Sequence, residues 1–404
     1  MINREQYMNK IRPFMDKNII KVLTGIRRSG KSVMLHLIQE ELIARGIEKS
    51  QIMSLNFEDM QNVHLLNATS LHDSIIHAKQ ENYELRYLFL DEIQEVHEWE
   101  RCINSLLSKD MFDIYVTGSN ANLLSSELAT YVAGRYVEVH VYPFSFNEFI
   151  ELYEIDRVQE SLDSVFGQYV RLGGFPFLKH FYENEAAVSQ YLKDIYSSVL
   201  IKDVMKRNQF RDVELLERIL MYVIAHVGET FSANAISKYL KSEGRKVAPE
   251  TVLNQLKACE EAFLFHRVKR LDLIGKQILQ VNEKYYIADH GIRQAVYGYN
   301  QRDIQRVLEN IVYMALLSHG YNVYVGRVDQ REVDFVCEAG PNKIYVQVTY
   351  LLASEDTIER EFGVLLDIKD NFPKYVLSMD RFDLSREGIQ HKYLPAFLLE
   401  LEDN

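Results

Sequence analysis

Two kinds of hydrophobic pattern alternate along the first half of the chain. Short apolar runs without a polar face, IIKVL (19–23), YLFL (87–90) and DIYVT (113–117), predict strands buried on both sides, as in a parallel sheet. IMSLNFED (52–59) predicts another strand, ending at Asn56, and YVEVHV (136–141) a further one. SVMLHLIQEEL (32–42) predicts a helix. In the second half, RDVELLERILMYVIAHVGETF (211–231), SANAISKYL (232–240) and PETVLNQLKACEEAFLF (249–265) predict three helices. Ser232 is a good N-cap for the second and Pro249 suits the first turn of the third. FLFHRVKRLD (263–272) and QILQVNEKYYIAD (277–289) then alternate as a β-hairpin around DLIGK. The remainder predicts αβββαβ: helix 302–320, strands 321–328, 332–339 and 343–350, helix 356–368 and strand 374–379.

Between the first strand and its helix lies GIRRSGKS (25–32), which matches G-x-x-x-x-G-K-[ST] in the strand–loop–helix setting that the P-loop requires. Gly25, Arg27, Arg28, Ser29, Gly30, Lys31 and Ser32 are therefore the candidate phosphate-binding residues. The glycines let the loop turn its amides toward phosphate oxygens, and the helix N-terminus adds partial positive charge. Lys31 would reach the β- and γ-phosphates of ATP, and Ser32 would ligate Mg²⁺. YLFLDE supplies the second half of such a site. Asp91 would hold the Mg²⁺ shell and Glu92 would polarise the attacking water. Ser119 and Asn120, after DIYVTG, are candidate γ-phosphate sensors, with strand-end turn chemistry as the plain reading. Arg135, placed after a helix and before a strand, could neutralise developing γ-phosphate charge in its own subunit or across an interface.

Composition narrows the class. The 404 residues, 47% hydrophobic and 26% charged, are enough for two to four domains. No apolar run reaches the roughly 18 residues of a membrane span, and the first residues lack an apolar signal core. Cys102, Cys259 and Cys337 have no metal spacing, so a cytoplasmic protein with reduced thiols and no membrane partner is expected. A net charge of -12 argues against coating nucleic acid over the whole surface.

GIRRSGKS, FLDEIQ, VTGSNANLLSSELA, GRYVEVHVYPFSFNEF and GGFP together resemble a prokaryotic family of AAA+-like ATPases fused to a C-terminal region of unknown function. The resemblance spans essentially the whole chain. It implies an α/β P-loop NTPase core with a parallel sheet, and Glu92 on the strand beside the P-loop strand. It also implies that a polar residue at Asn56 can hold the catalytic glutamate. The expected domains are an ATPase core (1–155), a helical lid or connector (156–213), a winged helix-turn-helix (214–295) and a nuclease-like α/β domain expected to be inactive (296–404).

Three helices and a hairpin have the order of a winged helix, whose third helix would read DNA. From Lys238 to Arg270 eight basic residues face four acidic ones, a local reversal of sign. Lys241, Arg245, Lys246, Arg267, Lys269 and Arg270 are the candidate phosphate contacts. The last domain resembles the PD-(D/E)xK, restriction-endonuclease-like fold. Glu309 and Asp334 match its first acids, but Gln347 replaces the second-motif carboxylate and Thr349 the lysine. Gln347 could still offer a metal an oxygen, while Thr349 supplies no cation. The leading expectation is thus an ATPase whose cycle moves a DNA-binding C-terminal region. A nucleotide-switched regulator holding a protein partner is the alternative, and an ATP-dependent nuclease the third. Oligomerisation is open to each.

Overall fold

Ile20–Thr24 (β1), Tyr87–Asp91 (β3) and Asp113–Thr117 (β4) are buried at every position, as their unbroken apolar runs predict. The computed structural model describes residues 2–121, 134–156, 159–275 and 277–401. It divides into two units, Met1–Val141 with Glu261–Phe263, and Tyr142–Glu260 with Leu264–Asn404.

In the first unit, β2 (Ile52–Asn56) and β5 (Tyr136–His140) complete an all-parallel sheet in the order β2-β3-β4-β1-β5. Side chains alternate between its faces. Leu88 and Leu90 join Ile20, Val22, Ile114 and Val116 against helices α3 (Ala68–Glu81) and α4 (Trp99–Ser108). Tyr87, Phe89 and Tyr115 join Leu23 against α1 (Glu5–Ile11) and α2 (Lys31–Ala44). Covering both faces with helices is what forces continuous apolar strands. One expectation is corrected: the strand carrying Glu92 is not beside the P-loop strand. β4 pairs with both, so Thr117 and the residues after it stand between the loop and the acids.

The second unit begins with α5 (Phe146–Leu152), α6 (Leu162–Leu172) and α7 (Glu185–Ser198), the last running into a π-helical segment, Val199–Lys206. Three helices follow, α8 (Val213–Ala225), α9 (Ala233–Ser242) and α10 (Pro249–Glu261). Ser232 caps α9 by accepting from the Ala235 amide at 3.2 Å. The hairpin β6 (Phe265–Asp272) and β7 (Gln277–Ile287) then leads to α11 (His290–Tyr297) and α12 (Ile304–Ser318). Strands β8 (Asn322–Val328), β9 (Arg331–Ala339) and β10 (Asn342–Val348), helix α13 (Glu355–Leu366) and strand β11 (Lys374–Ser378) appear in the expected order. A strand that the pattern did not suggest, β12 (Gln390–Tyr393), and a last helix, α14 (Leu394–Glu400), close the unit.

The expected boundary between a winged helix and a separate C-terminal domain is redrawn. One seven-stranded sheet, β12-β11-β10-β9-β8-β6-β7, contains the hairpin, because Arg270–Asp272 of β6 pair in parallel with Val325–Arg327 of β8. Within this unit the GGFP turn is fixed by Asp289. One carboxylate oxygen accepts from the Gly174 amide at 2.7 Å and the other from Gly291 at 2.8 Å. A Cβ on Gly174 would stand 2.4 Å from the Phe144 carbonyl oxygen, so the second glycine is a packing requirement.

Candidate nucleotide site

The loop Gly25–Gly30 leaves the C-terminal end of β1, the end at which open parallel sheets bind ligands. Gly25 has φ 138°, and a Cβ there would lie 2.2 Å from the Val141 carbonyl oxygen, so no other residue fits. Gly30, at φ 102°, turns the chain into α2. The first bond of that helix runs from the Met34 amide to the Gly30 carbonyl at 3.0 Å, which leaves the amides of Ser32 and Val33 aimed out of its end. Ser29 is fully buried, and its Oγ has no hydrogen-bond partner. A buried orphan hydroxyl in such a loop suits a phosphate oxygen. Arg27 is spent on Glu58, at 2.9 Å, whereas Arg28 is exposed in a left-handed conformation, φ 71°.

Lys31 is buried and folds back on its own loop. Its Nζ donates to the carbonyls of Gly25 at 3.0 Å and Ile26 at 3.1 Å, and lies 3.9 Å from Glu92. Asp91 accepts from the hydroxyls of Thr117 and Ser32 and from Asn56 Nδ2 at 3.1 Å. Burial raises the pKa of Asp91 above its ordinary value, against the pull of those hydroxyls. Asn56 therefore holds Asp91, not the glutamate as the resemblance implied. Glu92 is held otherwise: its amide donates to Thr117 Oγ1 at 2.9 Å, and its carboxylate accepts from Gln94 Nε2. Its φ of 54° aims the side chain out of the strand direction.

Ser119 and Asn120 are buried just after β4, the strand that lies between β1 and β3. Arg135 is elsewhere. Its carbonyl accepts from the Ile20 amide at 2.9 Å, at the start of β1. The five-residue strand between it and the loop spans roughly 16 Å, beyond an arginine's reach, so Arg135 does not serve the γ-phosphate of its own subunit. The helix expected before it lies outside the described residues.

The residues fit a Mg²⁺-nucleotide. Ser32 and Asp91 would hold the metal, and among the described residues no group of three His, Cys, Asp or Glu could hold one alone. That is normal for Mg²⁺, which takes most of its shell from water and phosphate. Sequence reasoning missed Thr117 and Gln94, both adjacent to recognised motifs, and Arg4, whose guanidinium donates to the Ser29 carbonyl at 3.1 Å. Nothing in the sequence near Arg4 points to the loop.

The other candidates are differently placed. Arg245 pairs with Asp212 and with Glu214 at 3.4 Å. Arg267 pairs with Glu260 at 3.2 Å and Glu283 at 3.3 Å, and Arg270 with Glu332 at 3.8 Å. Lys241, Lys246 and Lys269 are exposed. Around the nuclease-like residues, Lys284 Nζ lies 3.0 Å from Glu309 and 2.7 Å from Glu332, and Tyr286 donates to Glu309. Burial opposes the charge on Lys284, but Glu309, Asp334 and Glu332 outweigh it and hold the pKa above the usual lysine range. The side-chain oxygen of Gln347 is already engaged within the protein. That oxygen accepts from the Asp334 amide at 2.6 Å, and its Nε2 donates to Glu361 at 2.8 Å.

Residues 17–150 match a family described as an AAA domain, and residues 164–303 a domain of unknown function, DUF8612. An uncharacterized protein of Haemophilus influenzae is 35% identical over 401 residues, 99% of each chain. Protein MJ1544 of Methanocaldococcus jannaschii is 26% identical over 85% of this chain and 77% of its own. Among solved structures, the Walker-type ATPase PABY2304 of Pyrococcus abyssi matches with a TM-score of 0.53 at 15% identity, over 73% of this chain and 95% of that one. This last likeness is one of fold.

Proposed function

We propose that this chain, which belongs to the family of the uncharacterized Haemophilus influenzae protein and matches an AAA domain over residues 17–150, hydrolyses ATP with Mg²⁺ and couples the cycle to its C-terminal region. One observation carries the reading. Asp91 is hydrogen-bonded to the P-loop hydroxyl of Ser32 while Glu92 stands 3.9 Å from Lys31 Nζ. A metal-holding acid and a water-activating acid thus meet the two chemical residues of the loop. The bound Mg²⁺ would supply charge neutralisation on the phosphates. Lys31 would exchange the Gly25 and Ile26 carbonyls for phosphate oxygens. Ser29 and the first-turn amides of α2 would complete the cradle. Glu92 would take the proton of the attacking water, with Gln94 fixing its carboxylate.

Lys31→Ala should abolish ATP binding, and Glu92→Gln should bind ATP but not turn it over. Nucleotide titration and phosphate release on the two purified variants test this. Turnover by Glu92→Gln at the wild-type rate would remove the glutamate from the role of base.

What the cycle drives is the finer part of the proposal. DNA binding through α9, α10 and the hairpin would rest on Lys241, Lys246 and Lys269, since the three arginines already face carboxylates. That internal pairing favours the second reading, a nucleotide-switched regulator with a protein partner, more than the sequence alone did. Nuclease chemistry is left out of both readings, because Lys284 pairs with Glu309 and Glu332, and Gln347 and Thr349 replace the carboxylate and lysine of the second motif.

A further inference from the structure

Arg4 precedes α1 and lies 4% exposed, with φ 41° and ψ 49°. That left-handed conformation is unfavourable for a residue with a Cβ, and it persists only where surrounding interactions hold it. Its guanidinium makes two such contacts with described residues. The guanidinium carbon sits 4.3 Å from the centroid of the Tyr7 ring, and Nη1 donates to the Ser29 carbonyl at 3.1 Å. Helix α1 is itself tied to the helix that follows the loop. Arg12 forks onto Glu41 of α2 at 2.9–3.1 Å, and Tyr7, Met8 and Ile11 share a core with Met34, Leu35 and Ile38. The guanidinium is thus held at a fixed place against the phosphate-binding loop.

In a trans peptide the C=O and the following N–H point in opposite directions. A donor that draws the Ser29 carbonyl to one side therefore turns the Gly30 amide to the other. We propose that Arg4 is a positioning residue of the nucleotide site, clamped between Tyr7 and the Ser29 carbonyl so that the Gly30 amide faces the phosphates. It also sets a buried positive charge beside a loop built for polyanions. The inference rests on the nucleotide reading above and deepens it. The phosphates it serves are those that ATP and ADP have in common, since the loop's amides and the start of α2 are what it orients.

The test uses the full chain and measures Mg-ATP and Mg-ADP affinity by calorimetry. Arg4→Met keeps an apolar stem over Tyr7 and loses the donor. It should weaken both nucleotides by about 10–100-fold, the scale of one hydrogen bond to a charged group. KM for ATP should rise in step while kcat changes little, because the interaction serves ground and transition states alike. Arg4→Lys should fall between Met and wild type. Ile75→Val, in the core on the other face of the sheet and away from α1, should lower the melting temperature and leave affinity unchanged. If wild type fails to bind ATP, the nucleotide reading itself is wrong. If wild type binds and Arg4→Met binds equally well, only the inference about Arg4 falls. Should Arg4→Met not melt cooperatively, Arg4→Lys and Ile75→Val decide instead: a loss of affinity confined to Arg4→Lys supports the inference, and equal affinities overturn it.

Discussion

Lys31 and Lys284 are both buried lysines near carboxylates, and they spend their charge differently. Lys31 donates to two neutral carbonyls of its own loop and stands 3.9 Å from Glu92. Lys284 sits within 3.0 Å of two carboxylates, in a cluster where Asp334, Gln347 and Glu361 are also bonded to one another's segments. Carbonyl partners can be exchanged for phosphate oxygens at little cost. A charge pair in a low-dielectric interior cannot be opened without exposing both members to desolvation. The same residue types therefore form an exchangeable site in one region and a self-neutralised one in the other.

The largest effect should come from breaking the second cluster. Lys284→Met leaves Glu309 and Glu332 without their cation, and removal of one partner of a buried pair typically costs about 3–5 kcal/mol. Denaturant unfolding should register that loss, whereas Lys31→Ala should leave stability nearly unchanged while nucleotide binding disappears. Equal destabilisation by the two substitutions would erase the distinction.

A smaller effect concerns pH. Burial first, then the charges of Glu309 and Glu361, push the Asp334 carboxyl well above its ordinary value, with Lys284 opposing. The folded chain then holds this proton more tightly than the unfolded chain. Its contribution to stability is present at low pH and is lost as pH rises from the ordinary carboxylate range through the raised folded value. Asp334→Asn has no such proton to lose. Its melting temperature relative to wild type should climb as pH rises above about 4, the ordinary carboxylate range. A constant difference as pH rises would mean that Asp334 is ionised throughout.

The smallest effect sharpens the contrast at the surface. Replacing Lys241, Lys246 and Lys269 by Ala should reduce the slope of log DNA affinity against log salt by up to about 3, near 0.9 for each phosphate that is no longer neutralised. Replacing Arg245, Arg267 and Arg270 should change that slope far less, because carboxylates already neutralise them. Unchanged DNA affinity and slope in the lysine variant would favour the regulatory reading.

The loop and its acids were legible because their chemistry is local: GIRRSGKS and YLFLDE each carry glycines, lysine or carboxylates at fixed spacing beside an apolar strand. Strand neighbours were not, since the insertion of β4 between β1 and β3 depends on crossover connections that no local pattern records. The net charge of the stretch from Lys238 to Arg270 is likewise not the charge of its surroundings in the fold. Asp212, Glu214, Glu283 and Glu332, which neutralise Arg245, Arg267 and Arg270, all lie outside that window. Lys284 was hidden for the same reason. The nuclease-like motif expects a lysine two residues beyond Gln347, whereas the cation arrives from β7. Arg4 illustrates the limit most plainly, as an isolated arginine meets the loop only through the path of α1.

The shared seven-stranded sheet has an evolutionary consequence. A hairpin alone is at best marginally stable in water, and the edge of β6 is completed by β8, more than fifty residues downstream. A recombination event joining new sequence between residues 295 and 296 would leave that edge bare, open to pairing with foreign strands. The stretch from the three helices to the last strand can therefore be exchanged between genes only as a block. Lineages that vary what this region recognises are expected to do so by changing side chains and loops on an inherited scaffold, and not by shuffling one half of it.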